Sequence, residues 1–171
     1  PPTATPTHTS TPLPTATPSP TPTPTPTATP PTSLTGVIQQ IKPSVVRFDV
    51  NLENGSAVGS GVIFEVGASD GSALILTNDH VIEGATSVWV TVNDTSTYVG
   101  TVKGRDQTRD LAVVRICCGE FQALPFADAS NIQAGEEVIV IGYALGLQGP
   151  ATATTGIVSA IRYFSDLDRW M

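Results

Sequence analysis

Thirty-five residues without a single Asp, Glu, Lys or Arg open the chain, and they hold twelve of its fifteen prolines. The stretch is almost entirely Thr, Pro, Ala and Ser, with a period of two across Thr21-Pro22-Thr23-Pro24-Thr25-Pro26. Such a composition has too little apolar surface to offset the entropy of folding. Proline fixes φ and pushes the preceding residue towards extended backbone, which predicts a disordered, polyproline II-like tail over residues 1–35. At ~3.1 Å per residue it would reach roughly 100 Å if fully stiff. It reads either as a spacer O-glycosylated on its threonines or as an unmodified linker, and composition does not separate the two. His8 lies in it and has no expected role.

All fifteen acids and all eight bases fall in residues 36–171, enough chain for one domain. The formal net charge of -7 argues against nucleic acid as a partner, because neutralising phosphates requires a basic surface. A membrane span is not expected in this segment. The longest apolar run, Val138 to Leu147, is ten residues interrupted by two glycines, against about 20 for a bilayer helix. Two cysteines and two histidines make neither a disulfide framework nor a zinc-ligand spacing. Adjacent Cys117 and Cys118 pair only with strain, so free or separately paired thiols are expected. The start at Pro1 and the end at Met171 read as an internal piece of a longer product, with any signal or anchor upstream.

Residues 36–171 read as β. Gly36 to Lys42 can form one or two helical turns before Pro43 stops them. Short runs rich in Val, Ile and Thr then alternate with turn residues. Val46, Phe48 and Val50 alternate with Arg47 and Asp49. Asn54-Gly55 is a type I′ hairpin signal, and Val58 to Phe64 returns. Asp70-Gly71 turns into Ala73 to Thr77, continuously apolar and expected to be buried on both faces. Val88, Val90 and Val92 follow, Asn93-Asp94 turns the chain, and Tyr98 to Lys103 and Leu111 to Ile116 complete six strands. Asn54-Gly55-Ser56 and Asn93-Asp94-Thr95 match the N-glycosylation pattern, but the turn reading suffices for both. An irregular stretch from Cys117 to Gly135 leads to strands at Glu137 to Gly142 and Thr152 to Ile161. The pattern predicts an all-β barrel or sandwich, with one complete barrel and one cut short.

His80 comes directly after the apolar strand at residues 73–77. An imidazole there can be exposed while the core fixes its backbone. To act as a general base it needs a carboxylate on its other ring nitrogen. Asp79 is a poor partner, because adjacent side chains in extended chain point apart. Asp110 is better placed. It opens the strand Leu111-Ala112-Val113-Val114, at the edge of the core, where a half-buried carboxylate needs a donor.

Five segments occur in a fixed order: Gly59-Ser60-Gly61-Val62-Ile63-Phe64, Ile75-Leu76-Thr77-Asn78-Asp79-His80-Val81-Ile82, Asp106 to Val113, Gly135 to Gly146, and Thr155-Gly156-Ile157-Val158-Ser159. Together they resemble the trypsin-like serine proteases of the bacterial HtrA (DegP-like) type, from about Pro43 to Ile161. The resemblance implies a two-barrel chymotrypsin fold, with the first barrel complete and the second truncated. It implies that His80 is the general base and Asp110 the orienting carboxylate. It also implies protein or peptide substrates, no cofactor, an extracytoplasmic location on or beyond the cell surface, and the downstream peptide-binding PDZ domain frequent in the family.

One element of the family pattern does not occur. After Asp110 the serines are Ser130, Ser159 and Ser165, none flanked by glycines, whereas the family's nucleophile lies in a Gly-Asn/Asp-Ser-Gly-Gly motif. Ser159 belongs to the strand motif that precedes it. The expected function is therefore a fragment of a serine endopeptidase, inactive alone, with its nucleophile beyond Met171. The alternative is a catalytically inactive, protease-like binding module on a stalk. A third reading makes the domain an adhesin-like structural element. The intact His80 and Asp110 favour the first.

Overall fold

The computed structural model describes residues 33–143, 149–164 and 169–170. The tail reading for residues 1–32 lies outside them. A helix, α1 (Leu34–Ile41), opens the described chain. Ser33 caps it, its Oγ accepting from the Gly36 N–H at 3.1 Å, so the helix begins two residues before the expected Gly36. Pro43 ends the α-helix as expected, and the chain continues for one 3-10 turn at Lys42–Ser44.

Seven strands then build one antiparallel sheet. They are β1 (Val45–Leu52), β2 (Gly55–Val66), β3 (Ala73–Thr77), β4 (Ala85–Val92), β5 (Ser96–Val99), β6 (Thr101–Asp106) and β7 (Leu111–Ile116). Their order across the sheet is β5-β4-β1-β2-β3-β7-β6. The outermost strands, β5 and β6, are consecutive in the chain and separated only by Gly100. Two edges joined by one residue must meet at that residue, so the sheet curls round on itself as a barrel sheet does. The Gly100 N–H donates to the Val88 carbonyl at 2.9 Å, and a Cβ at Gly100 would lie 2.8 Å from Val114 Cγ1 and 3.0 Å from Val88 Cγ1. Six strands were expected here. Gly100 splits the run from Tyr98 to Lys103 at the corner where the chain crosses from one end of the sheet to the other. The register shifts between Ile63 and Glu65 in β2, and between Val102 and Gly104 in β6. Each leaves one extra residue that bends its strand, which curvature of this kind requires.

Alternation sets the inward face. Val46, Phe48, Val50, Ile63, Ile75, Val90, Val114 and Ile116 are fully buried, and Val88 and Val92 join them in the core. Strand β3 is buried through Ala73, Ile75 and Thr77, while Leu74 and Leu76 are only partly covered, so one face rather than both is sealed. The hairpin after β1 exists, but its loop is Glu53-Asn54, because Leu52 already pairs with Gly55. Neither loop residue has positive φ, so the turn is not type I′. The inward set Val46/Phe48/Val50 fixes the register and draws Gly55 into the strand. The left-handed pair sits instead at Asn93 (φ 53°) and Asp94 (φ 60°), where the Thr95 N–H donates to the Val92 carbonyl.

Past the barrel, β8 (Glu137–Gly142) and β9 (Thr152–Ile157) form a separate antiparallel hairpin, and β9 stops short of the expected Ile161. A two-residue pair, β10 (Tyr163–Phe164) with β11 (Arg169–Trp170), follows. The end of β8 is fastened to the barrel. The Tyr143 N–H donates to Ser60 Oγ at 2.7 Å, and its hydroxyl donates to Asp94 Oδ1 at 2.6 Å. Lys42 Nζ reaches the other Asp94 oxygen at 3.2 Å.

Candidate active site

After β3 the chain makes a single helical turn, α2 (Asp79–Ile82), that carries His80 outward and Val81 and Ile82 into the core. Val81 lies directly over Gly59 of β2, where a Cβ would come within 2.5 Å and 2.7 Å of its two methyl carbons. Gly59 in the Gly-Ser-Gly segment thus has a physical reason: α2 can rest on the sheet only where β2 has no side chain.

Asp110 stands at the end of the β6–β7 turn with φ 54°, a left-handed conformation that Asp tolerates better than most residues. That twist turns its carboxylate towards α2. Oδ2 lies 2.8 Å from His80 Nδ1, and Oδ1 accepts the His80 backbone N–H at 2.9 Å. Asn78 Nδ2 donates to Oδ2 and to the Asp110 carbonyl, both at 3.1 Å. The His80 backbone N–H, then its ring and lastly Asn78 hold the Asp110 carboxyl below the usual carboxylate range. An ionised carboxylate can only accept, so the hydrogen in this contact is on Nδ1. In the neutral ring this tautomer leaves Nε2 as the acceptor. The His80 side chain is 67% exposed, so a reacting group can reach the ring.

The two residues singled out in the sequence are thus brought together, thirty positions apart in the chain. Asp79 is not a partner of His80. The local chain is a helical turn rather than extended, and the buried Asp79 carboxylate goes to Arg105, at 2.5 Å from Nε and 3.0 Å from Nη2. Ser130 sits exposed in a 3-10 turn (Ala129–Asn131), Ser159 is exposed beyond the end of β9, and Ser165 lies outside the described residues. Cys117 and Cys118 are both free. Among the described residues no three His, Cys, Asp or Glu gather as metal ligands, and no helix is long and apolar enough to cross a membrane. A cleft of about 250 Å³ opens beside Asn78, between the barrel and β8, lined by Val62, Leu76, Leu111 and Ile141 among others.

Sequence reasoning gave no role to Asn78 or to the His80 peptide N–H. Asn78 precedes a short helix, where an Asn side chain ordinarily caps the turn. Here it makes no cap and binds Asp110 instead, a choice that depends on β7 and is invisible locally.

The trypsin-like peptidase domain matches residues 59–170 of this chain. The serine protease Do-like HtrA of Bacillus subtilis is 40% identical over 114 residues, covering 66% of this chain and 25% of that protein. Serine protease PepD of Mycobacterium tuberculosis is 37% identical over 141 residues, covering 77% and 29%. Among solved structures, the HtrA-type protease AlgW with tripeptide is similar at a TM-score of 0.67 and 29% identity, over 75% of this chain and 40% of that one. The chain spans about a quarter of the length of the curated relatives it matches. A barrel of this kind, the ordered segments and a domain match over most of the globular part lead to one conclusion: the chain belongs to the trypsin-like peptidases, in their HtrA-type serine protease group.

Proposed function

We propose that this chain supplies the general-base half of an HtrA-type serine endopeptidase, with His80 as base and Asp110 as orienting carboxylate. The observation that carries the proposal is the 2.8 Å contact between His80 Nδ1 and Asp110 Oδ2. In the proposed reaction His80 Nε2 takes the proton of a serine hydroxyl as that oxygen attacks a peptide carbonyl carbon. The imidazolium then gives the proton to the departing amine, leaving an acyl-enzyme that water hydrolyses. Asp110 keeps the ring in the tautomer that leaves Nε2 free and stabilises the charge that forms on it.

In this proposal the nucleophile and the oxyanion-binding N–H groups come from residues after Met171, in a glycine-flanked serine motif. The relatives' greater length is consistent with it. The substrates are proteins or peptides. The Thr/Pro-rich composition of residues 1–32, ahead of the Ser33 cap, supports a spacer role and an extracytoplasmic location. The binding-module alternative has less support, since a domain that does no chemistry needs neither His80 nor Asp110.

The test is the longer product. Extended through the glycine-flanked serine, it should react with a fluorophosphonate probe, and His80→Ala should abolish the labelling. The 171-residue chain should stay unlabelled. An extended protein that carries such a serine and is still inert to the probe sinks the proposal.

A further inference from the structure

Helix α2 is held by the β6–β7 hairpin at two points, and Asp110 is only one of them. The other is Arg105 on β6, whose guanidinium meets both oxygens of Asp79, the residue next to His80. The Asp79 side chain is 6% exposed. A carboxylate so far out of water is tolerated only when paired and hydrogen-bonded. The planar fork of arginine provides two parallel contacts, and an ammonium could not reproduce them. Arg105 itself is one-third exposed, with a side-chain accessibility of 33%.

A four-residue helix has no stability of its own. Its place is set by what it is tied to: Val81 over Gly59, His80 to Asp110, and Asp79 to Arg105. The last two ties leave the same hairpin within five residues of each other. Between them the turn is braced, because Asp106 accepts the Arg109 N–H at 3.0 Å and pairs with its Nη1 at 3.0 Å. The hairpin therefore grips both sides of the peptide joining Asp79 to His80 as one unit.

We propose that Arg105, acting through Asp79, is a positioning residue for the His80 imidazole. It rests on the reading of His80 as general base, because that role is what makes the ring's exact placement matter. Asp110 holds the ring and the His80 amide from the β7 side. Arg105 holds the preceding residue, Asp79, and so fixes the other side of the peptide from which the ring projects. Misplacement of a reacting group by about 1 Å can cost ~10²-fold in rate.

The experiment uses the 171-residue chain, followed by amide hydrogen exchange and by the NMR signal of the His80 Nδ1 proton. Arg105→Met should leave the β1–β3 amides protected, lower protection of the His80 amide about tenfold or more, and weaken the Nδ1 proton signal. Arg105→Lys should recover only part of this. Should Arg105→Met leave Asp79 buried without a partner and prevent folding, the double variant Asp79→Asn/Arg105→Met removes that burden. It should fold with parent-like barrel protection and still show the loosened His80. In the extended protein the double variant should lower kcat ~10- to 100-fold with little change in KM. Unchanged His80 amide and Nδ1 signals in the double variant would overturn the positioning role. Absence of labelling in the unsubstituted extended protein instead sinks the protease reading, so the two failures are separable.

Discussion

Asp110 binds His80 twice: one carboxylate oxygen takes the imidazole Nδ1–H at 2.8 Å and the other takes the backbone N–H of the same residue at 2.9 Å. The ring and the amide of the peptide that carries it are thus both held by this side chain, while Arg105 holds the Asp79 side of that peptide. Two bonds from a single carboxylate leave little rotation about χ1 of His80, so Nε2 keeps one direction even with the ring exposed.

Asp110→Asn retains one acceptor oxygen and loses both the second acceptor and the charge. In the extended protein it should lower kcat by ~10⁴-fold, because the amide can stabilise the wrong ring tautomer and cannot support an imidazolium. Steady-state kinetics on a peptide substrate reads this directly. A variant that turns over at the parent rate would remove Asp110 from the reaction.

Gly59→Ala places a methyl group against Val81, at 2.5 Å and 2.7 Å from its methyl carbons. A β-branched neighbour has few rotamers with which to yield. The expected loss is about 1–3 kcal/mol in denaturant unfolding, with a displaced α2. Adding Val81→Ala should restore part of it by returning space. A double variant no more stable than Gly59→Ala would show that α2 does not rest on this glycine.

Alternation made β1 and β4 legible, since period-two burial is a local property of the chain. The core residues Val46, Phe48, Val50, Val88 and Val90 were identifiable for the same reason. The corner at Gly100 was not, because its cause is the meeting of Val88 and Val114 from strands far apart in sequence. In the site, His80 and Asp110 stood out through the ordered segments around them. Arg105, Asn78 and the left-handed backbone of Asp110 did not, because each acquires its role only when the β6–β7 hairpin folds against α2.

Tyr143→Phe removes a hydroxyl that donates to Asp94 from a side chain only 6% exposed. The Tyr143 hydrogen bond, ahead of that from Lys42, lowers the Asp94 pKa against the opposing effect of burial. Losing it should cost about 1–3 kcal/mol of stability, with the Tyr143 N–H contact to Ser60 retained. Urea unfolding of the parent and the variant measures the difference. Coincident curves would mean that water replaces the phenol without loss.

Asp70 predicts a pH dependence. Its oxygens accept from the Ser72 hydroxyl at 2.6 Å, the Ser72 N–H at 3.1 Å and Arg115 Nη2 at 2.8 Å. The Ser72 hydroxyl first, then Arg115, lower its pKa from 3.8 to about 2. A folded value below the unfolded one adds stability above pH 3.8, which is lost as pH falls through 3.8 towards 2. The gap between the urea midpoints of the parent and Asp70→Asn should be constant near neutrality and close across that window. A gap that persists at or below pH 2 would assign the difference to something other than this ionisation.

Strand β7 is the last of the seven barrel strands to leave the ribosome, yet it inserts between β3 and β6. Asp110 is the residue immediately before it. Without that strand in place the imidazole on α2 has no Asp110 carboxylate beside it. The His80–Asp110 pair is in this sense a latch thrown by the closing stave. On the proposed reading of His80 as base, the partner that orients it immediately precedes the strand that joins β6 to the rest of the sheet, so base and barrel share one structural dependence.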